Sequence, residues 1–598
     1  MIDSQTRDPA RTAAHVFAQV AAEKPHRPAV RYGSTVLTYA ELADSAGSVA
    51  AWLRERGVGR GDVVATVLDR SHRCAVAVLA AWAVGAAYVH LEPTDPDARI
   101  AALLESVGPR AVLTDGAHQG RVPEGPYAVA SLSDGHPAAP YRVDDRTHHD
   151  DLAYAVFTSG STGVPKTVEV TQRALLNFCA GFRKVTAAVE PLDSFGVTTT
   201  FAADIGKASV YGALLSGARL DVYDRATTLD PELLAAELRA HPVSALTCTP
   251  SLLEALASEG RISGLLPGRL LVLIGEPLPP RLAAAVLDAS PGIEIHNGYG
   301  PAEATIAATV HRVVAADTGG ERVPVGHALP GVVARVLDDA CVPVADGVPG
   351  VLYLGGECLA RGYRGDAETT AAKFVTVGGE RLYRTDDLVV RAEDGCFDFL
   401  GRVDGQLKIR GNRVEPGEVE TALLTVPGVR LAVVTGERSA EDAPMEMAAY
   451  VVGGAERAEI VAWLTERLPA ALIPSRIHPV PRIPVNMNGK ADFAALRALA
   501  ASQVPQKPSA EGPVGAVEET VAQIWREVLG RDHVGRHERF ADLGGTSFKA
   551  LGVYGRLRRH YPEFGIAQLY AHPTVAELAR ALGGPAASVS PSTEVIEL

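Results

Sequence analysis

LAYAVFTSGSTGVPKT, residues 152–167, decides how this chain is read. Residues 153–157 form an apolar run ending in an aromatic and bounded by turn residues, which predicts a buried strand. That strand runs straight into Thr158, Ser159, Gly160, Ser161, Thr162 and Gly163. Two glycines let backbone amides approach an anion closely, and the hydroxyls add donors. Pro165 fixes the exit and Lys166 brings a positive charge. A Walker loop needs its lysine directly after the second glycine; here Val164 and Pro165 intervene, which disfavours a P-loop NTPase. A bare Ser/Gly string would read as a surface turn, and it is the adjoining strand and Lys166 that favour a phosphate cradle.

Working outward, β/α alternation continues to about residue 330. Residues 13–22 and 41–56 have helical spacing, and Thr38 followed by Glu41 is a capping box. The run from Cys74 to Leu91 reads as a buried alanine-rich helix leading to a strand, about one turn short of a bilayer span. Such alternation predicts mainly parallel sheets with helices on their faces, with ligands beyond the carboxyl ends of the strands, where the glycine loop falls. Gly57 to Gly61 reads as a plain loop. His148-His149-Asp150-Asp151 lacks the following Asp-Gly of a condensation motif and reads as a solvated turn. From about Val332 to Leu400 the pattern changes to short strands with glycine turns. A compact segment after Asp404 reads strand, then helix from Pro416, and closes near Arg497. Residues 501–515 are rich in Pro, Gly and Ser and read as a linker. A helical unit follows to about 584, then a tail expected to be disordered.

The chain has 598 residues, too many for one ordinary core. A net charge of -14 gives no electrostatic case for nucleic acid or an anionic membrane as partner. Cys74, Cys179, Cys248, Cys341, Cys358 and Cys396 are scattered without a CxxC pair, which argues for a reducing compartment and against structural zinc. The first residues lack the apolar core of a signal peptide, so the expected location is the cytoplasm.

With the loop placed, seven further motifs occur in the order found in the adenylate-forming superfamily. They are Leu37 to Leu42, Gly85 to Tyr88, Asn297 to Glu303, Ala360 to Tyr363, Tyr383 to Leu388, Gly401 to Asp404 with Lys408 to Gly411, and Asn488 to Lys490. Over about residues 15–500 the chain resembles the adenylation domain of nonribosomal peptide synthetases. The resemblance implies activation of a carboxylate by ATP, giving an acyl-adenylate and pyrophosphate. It also implies a role for each charged group. Glu303, joined by Thr162, would ligate magnesium; Asp387, assisted by Arg402, would clamp the ribose; Tyr299 would stack on adenine beside Asn297. Lys490 would bridge the substrate carboxylate and the α-phosphate. Asp404 would be the hinge about which a small lobe swings, presenting Lys490 for adenylation and Lys408 to Gly411 for thioester formation. Thr167, Asp386 and Ala302 depart from the family's glycine, glycine and threonine, without removing a charge the chemistry needs.

Counting back from Leu214 to Ala218, which fits the family, Asp204 falls where a carboxylate meets the substrate's α-ammonium. The other reading of Asp204 is a helix cap. The same alignment lines the side-chain pocket with Ile205, Ala208, Thr247, Val272, Ile274, Gly298, Ile306 and Ala307. A wall without formal charge predicts a neutral, mainly apolar amino acid, branched aliphatic or aromatic. Lys207, if turned inward, would admit an acidic substrate.

The C-terminal unit resembles a peptidyl carrier domain. Val517, Val521, Ile524, Trp525 and Val528 give an amphipathic helix, and Ser547 follows Gly544, Gly545 and Thr546 at the site of phosphopantetheine attachment. Arg556, Arg558 and Arg559 read as a solvated face that could serve as a docking patch.

The expected architecture is therefore α/β: an adenylate-forming core (1–403), an α+β lobe (404–500), the linker (501–515), a four-helix-bundle carrier (516–584) and the tail (585–598). Expected cofactors are ATP, Mg2+ and phosphopantetheine. Expected partners are an amino acid, a phosphopantetheinyl transferase, condensation or tailoring enzymes acting in trans and, as a family option, an MbtH-type protein. Rival readings are an aryl or fatty acid ligase fused to a carrier, and a carrier scaffold without catalysis.

Overall fold

The computed structural model describes residues 11–133, 137–159, 165–257, 262–404, 406–409, 411–438, 445–484, 491–502, 511–540, 543, 545, 547–564, 568–569 and 572–583. Gly160, Ser161, Thr162, Gly163 and Lys490, all singled out from the sequence, lie outside them.

Two large sheets form the core. In one, of seven strands, Leu152–Thr158, Ala87–Leu91, Val63–Val67, Ala111–Thr114 and Ala128–Ser131 run parallel, and Lys166–Thr171 and Gly362–Tyr363 close one edge antiparallel. In the other, of nine, the parallel centre comprises Pro28–Tyr32, Arg219–Val222, Ser194–Val197, Ala245–Cys248, Leu270–Ile274 and Glu294–Tyr299, with antiparallel edges at both ends. Strands buried on both faces need near-continuous apolar sequence; Val63–Val67, Ala87–Leu91 and Leu270–Ile274 are buried at every position. The helix His72–Ala83 is buried nearly all round, as its alanine-rich sequence requires. Thr38 accepts from the amide of Glu41, whose carboxylate accepts in return, and this capping box starts the helix Tyr39–Glu55.

Beyond residue 330 the chain builds a five-stranded antiparallel sheet, as the change of pattern predicted. Its strand Glu380–Arg391 pairs with Phe397–Arg402 and sets Asp387 opposite Arg402. The small lobe consists of the hairpin Leu407–Ile409/Asn412–Val414, the helix Pro416–Leu424, and a sheet of Val429–Glu437, Glu446–Gly453 and Arg476–Pro479. Helices Gly515–Leu529, Ser547–His560 and Val575–Gly583 form a separate bundle around Trp525, Phe540, Leu557 and Leu578. No helix among the described residues is long and apolar enough to cross a membrane. The six cysteines are free thiols.

Candidate active site

The strand Leu152–Thr158 is paired antiparallel with Lys166–Thr171, with Thr158 opposite Lys166, the two residues that flank the Ser/Gly stretch. The Thr158 hydroxyl donates to the Lys166 carbonyl at 3.5 Å, while the Ser159 hydroxyl is buried without a partner. A buried hydroxyl left unpaired costs free energy, and an acceptor arriving at the turn would recover it. The Lys166 ammonium stands 5.5 Å above the ring of Tyr363.

Asp387 lies close by in the third sheet, 1% exposed. One carboxylate oxygen accepts from Arg402 Nη1 at 2.6 Å and the other from the Tyr299 hydroxyl at 2.5 Å. The far edge of the Arg402 guanidinium grips Asp404 through Nε (2.8 Å) and Nη2 (2.6 Å), just before the hairpin Leu407–Ile409/Asn412–Val414. Burial opposes ionisation of Asp404, yet Arg402 holds its carboxyl below the usual range. Asn297 is committed to the fold, donating through Nδ2 to the Pro324 carbonyl at 2.7 Å.

Glu303 is 1% exposed on a single 3-10 turn. Its carboxylate accepts from the Tyr363 hydroxyl (2.6 Å) and from Arg413 Nη1 (2.9 and 3.1 Å). Burial pushes its pKa up, but Arg413 and Tyr363 outweigh this and leave it below the ordinary glutamate value. A buried carboxylate of this kind suits a hard divalent cation; in the present arrangement the guanidinium supplies the positive charge that faces it. Beyond Ala304, Thr305 (φ 58°) and Ile306 (φ 66°) are left-handed. That conformation costs about 1–3 kcal/mol for a residue other than glycine. The Thr305 hydroxyl, donating to the Cys358 carbonyl at 2.8 Å, secures it and aims Ile306 and Ala307 toward the second sheet.

There they join Ala208, Val272 and Ile274 in one packed cluster, with Ile205 against it. Register explains the grouping. Thr247 pairs with Val272, and Ile274 with Gly298, so adjacent strands present one wall. The Thr247 hydroxyl already accepts from Ser209 at 2.9 Å, which leaves the wall apolar. Asp204 stands at its edge with its side chain 11% exposed; among the described residues neither carboxylate oxygen has a partner of ordinary hydrogen-bond geometry, and the Tyr154 hydroxyl and the Ile306 amide both favour its charged form. Burial raises its pKa, against the pull of Lys207, whose ammonium lies 3.7 Å away. Lys207 is itself buried, donating to the carbonyls of Phe201 and Ala203 at 3.0 Å each. It is anchored at the backbone and does not reach into the apolar wall.

The small-lobe hairpin closes the site. Lys408 places its ammonium 5.2 Å from the ring of Tyr299 and 5.6 Å from that of Phe399, and burial lowers its pKa. The Gly411 amide donates to Glu276, whose other oxygen accepts from the Ser251 amide at 3.0 Å. Burial raises the Glu276 pKa. Between Lys408, Glu276, Tyr299 and Phe399 a cavity of only about 20 Å³ remains.

The helix that begins at Ser547 packs on the core helix Pro250–Ala257. Arg558 Nη1 pairs with Glu232 of the core at 2.8 Å, and Lys549 Nζ with Glu446 of the small lobe at 3.0 Å. Arg558, read from sequence within a solvated face, is thus a docking contact.

Comparison with known proteins agrees with this layout. Residues 17–364 match the family described as AMP-binding enzyme.

The chain belongs to the AMP-binding enzymes. Residues 418–490 match the AMP-binding enzyme C-terminal domain, and residues 519–582 the phosphopantetheine attachment site. The chain is 34% identical over 593 residues to surfactin synthase subunit 2 of Bacillus subtilis (strain 168), covering 96% of this chain and 16% of that protein. It is 35% identical over 593 residues to phenyloxazoline synthase MbtB of Mycolicibacterium paratuberculosis, covering 97% of this chain and 50% of that protein. Among solved structures it matches holo-PA1221, a nonribosomal peptide synthetase protein containing adenylation and PCP domains, with a TM-score of 0.82 and 27% identity over 96% of each chain. The chain spans half or less of the curated relatives named here. It is an adenylation domain joined to a carrier domain, the architecture of an adenylate-forming ligase that uses ATP and magnesium and carries phosphopantetheine.

For an AMP-binding enzyme, the departures noted in the sequence have local explanations. Asp386 adopts a left-handed φ of 58°, which aspartate tolerates better than most residues. Its carboxylate turns from Asp387 to Lys373 and, at 2.7 Å, Arg384. Thr167 is buried, its carbonyl accepting from the Arg364 amide at 2.8 Å.

Three residues escaped the sequence reading: Glu276, Arg413 and Tyr363 as a partner of Glu303. Glu276 carried a usable signal, because it follows a core strand at its carboxyl end. Gly411 also has a steric reason to be glycine. Its φ is 76°, and a Cβ there would meet Thr249 Cγ2 at 2.6 Å. Gly411→Ala should therefore slow aminoacyl transfer roughly 10²-fold, the cost of a misplacement of about 1 Å. ATP–pyrophosphate exchange should hold, and measuring the two half-reactions side by side checks the separation.

Proposed function

We propose that the chain activates a neutral, apolar amino acid as its adenylate and then transfers the aminoacyl group to phosphopantetheine on its own Ser547. The observation that carries this reading is the hairpin Lys408–Gly411 seated on Tyr299 and Glu276 while the Ser547 helix bridges the core and the small lobe. This is the arrangement expected for the second half-reaction.

In the first half-reaction a substrate carboxylate oxygen attacks the α-phosphorus of ATP, and pyrophosphate leaves with the broken P–O bond. The turn Thr158 to Gly163 with Lys166 would hold the phosphates, Asp387 with Arg402 the ribose, and Tyr299 the adenine edge beside Asn297. Magnesium, held by Glu303 and Thr162 once Arg413 is withdrawn, would neutralise phosphate charge. Lys490 would stabilise charge at the α-phosphate. For the second half-reaction, phosphopantetheine on Ser547 would supply the thiol that takes the acyl group from the adenylate, giving a thioester with AMP as the leaving group and loss of the thiol proton. The small lobe would turn about Asp404 between the two. Arg413 then does more than fill space: its guanidinium takes the Glu303 carboxylate, so Arg413 and a magnesium ion held at Glu303 would exclude one another.

Asp204 would receive the α-ammonium, with Ile205, Ala208, Thr247, Val272, Ile274, Gly298, Ile306 and Ala307 around the side chain. The division at Asp404 and the linker 501–515 belong to this proposal, as do the partners: a phosphopantetheinyl transferase, condensation or tailoring enzymes in trans, and an MbtH-type protein. Exchange assays across amino acids and their deaminated acids test the substrate class; strict preference for an aryl or fatty acid would overturn it.

The docking contacts are testable separately. Arg558→Glu should slow self-loading about three- to tenfold at low salt, a range set by the modest worth of an exposed ion pair. Adding Glu232→Arg should restore the rate. Unchanged loading in the single variant would show that the contact is not used.

A further inference from the structure

Asp204 is a carboxylate at the edge of the apolar wall, and it already has company. Lys207 lies three residues on, at the first position of the helix Lys207–Leu214, 1% exposed, with its ammonium 3.7 Å from Asp204 Oδ1. Two of its three N–H groups are spent on the carbonyls of Phe201 and Ala203, and its charge sits 5.0 Å from the ring of Tyr154. The lysine is thereby fixed: it cannot swing to solvent, and its remaining proton faces Asp204. A substrate ammonium entering here would set two cations against one carboxylate in a pocket largely shielded from water. Uncompensated charge in such surroundings costs several kcal/mol. A neutral donor meets no such penalty.

We propose that Lys207 is a specificity-determining residue, a resident counter-ion that competes with the substrate's α-ammonium for Asp204, so that the chain activates 2-hydroxy acids alongside the matching amino acids. The inference rests on the proposal that Asp204 faces the α-substituent of the substrate. The other titratable groups around the pair do not supply a second anion. His90, on the strand Ala87–Leu91, is held neutral by burial, which brings its pKa to about 3. Tyr88, Tyr154 and Tyr211 are phenols whose pKa burial raises. Glu303 is compensated by Arg413. Burial lowers the Lys207 pKa to about 8. As pH rises through that value Lys207 loses its proton and Asp204 stands unopposed, so the KM for an amino acid should fall while that for a hydroxy acid should not.

The test is ATP–pyrophosphate exchange by the full chain with leucine, isoleucine, valine and phenylalanine and their 2-hydroxy counterparts, from pH 7 to 8.5. The wild-type preference for the best amino acid over its hydroxy acid should be less than about tenfold in kcat/KM. Lys207→Met should raise that preference at least about tenfold, mainly through the amino acid KM, and remove its pH dependence. Lys207→Arg should keep the wild-type ratio. A wild-type preference above about a thousandfold with a pH-independent KM overturns the proposal without any variant. An unchanged ratio in a folded Lys207→Met protein overturns it too. Asp204→Asn separates the two layers. If it leaves amino acid activation untouched, the role of Asp204 itself fails. If it cripples activation while Lys207→Met is silent, only the role of Lys207 fails. Exchange with neither class contradicts both.

Discussion

Replacing Lys490 with alanine is expected to lower ATP–pyrophosphate exchange by about 10²–10³-fold, the usual consequence of removing one group aimed at developing transition-state charge. The fall should lie in kcat rather than in the KM for ATP, because on the proposed reading residues 158–163, Asp387 and Arg402 would hold the nucleotide without it. The same substitution should leave transfer from a supplied aminoacyl-adenylate nearly unchanged. The small lobe presents residues 407–414 to the site in the arrangement described, with Lys408 on Tyr299 and Gly411 on Glu276. On the proposed rotation the lobe would offer Lys408 and Lys490 in turn, so the two half-reactions should lose activity independently. Equal losses in both would mean that the lobe does not change faces.

Ser547→Ala is expected to abolish covalent loading entirely while exchange continues at the wild-type rate. The carrier bundle has its own core, with Trp525 and Phe540 packed edge to face at 4.9 Å between ring centres. A small residue at the first position of the helix Ser547–His560 leaves that core intact. What would be lost on the proposed reading is the attachment point, at a helix start whose amide groups would favour an added phosphate. Loading that persists in this variant would refute the assignment of Ser547.

How much of this was legible beforehand depended on how far apart the interacting residues lie. Local signals were sound. Thr38 with Glu41 announced a helix start, and Trp525 with its apolar neighbours gave the buried face of the carrier helix. The strand before the Ser/Gly turn was visible because its burial writes itself into five consecutive residues. Contacts made by one lobe against another were not visible. Arg413 meets Glu303 across 110 positions, and Gly411 meets Glu276 across 135; both depend on where the small lobe sits, which no periodicity encodes. Asp386 shows the intermediate case. Its departure from the family pattern was plain, but its harmlessness depends on Lys373 and Arg384, which only the folded sheet brings to it. Lys207 was noted, yet whether it faced the wall or the carboxylate hung on a rotamer held by two backbone carbonyls.

The central claim is that one polypeptide makes the adenylate and receives the acyl group. The most direct measurement is the intact mass of the phosphopantetheinylated chain after incubation with ATP, magnesium and pooled amino acids. The account predicts an ATP-dependent mass increase equal to one apolar aminoacyl group, released by mild thiol treatment and located on the peptide that contains Ser547. A chain that consumes ATP with these acids yet gains no mass on that peptide would contradict it.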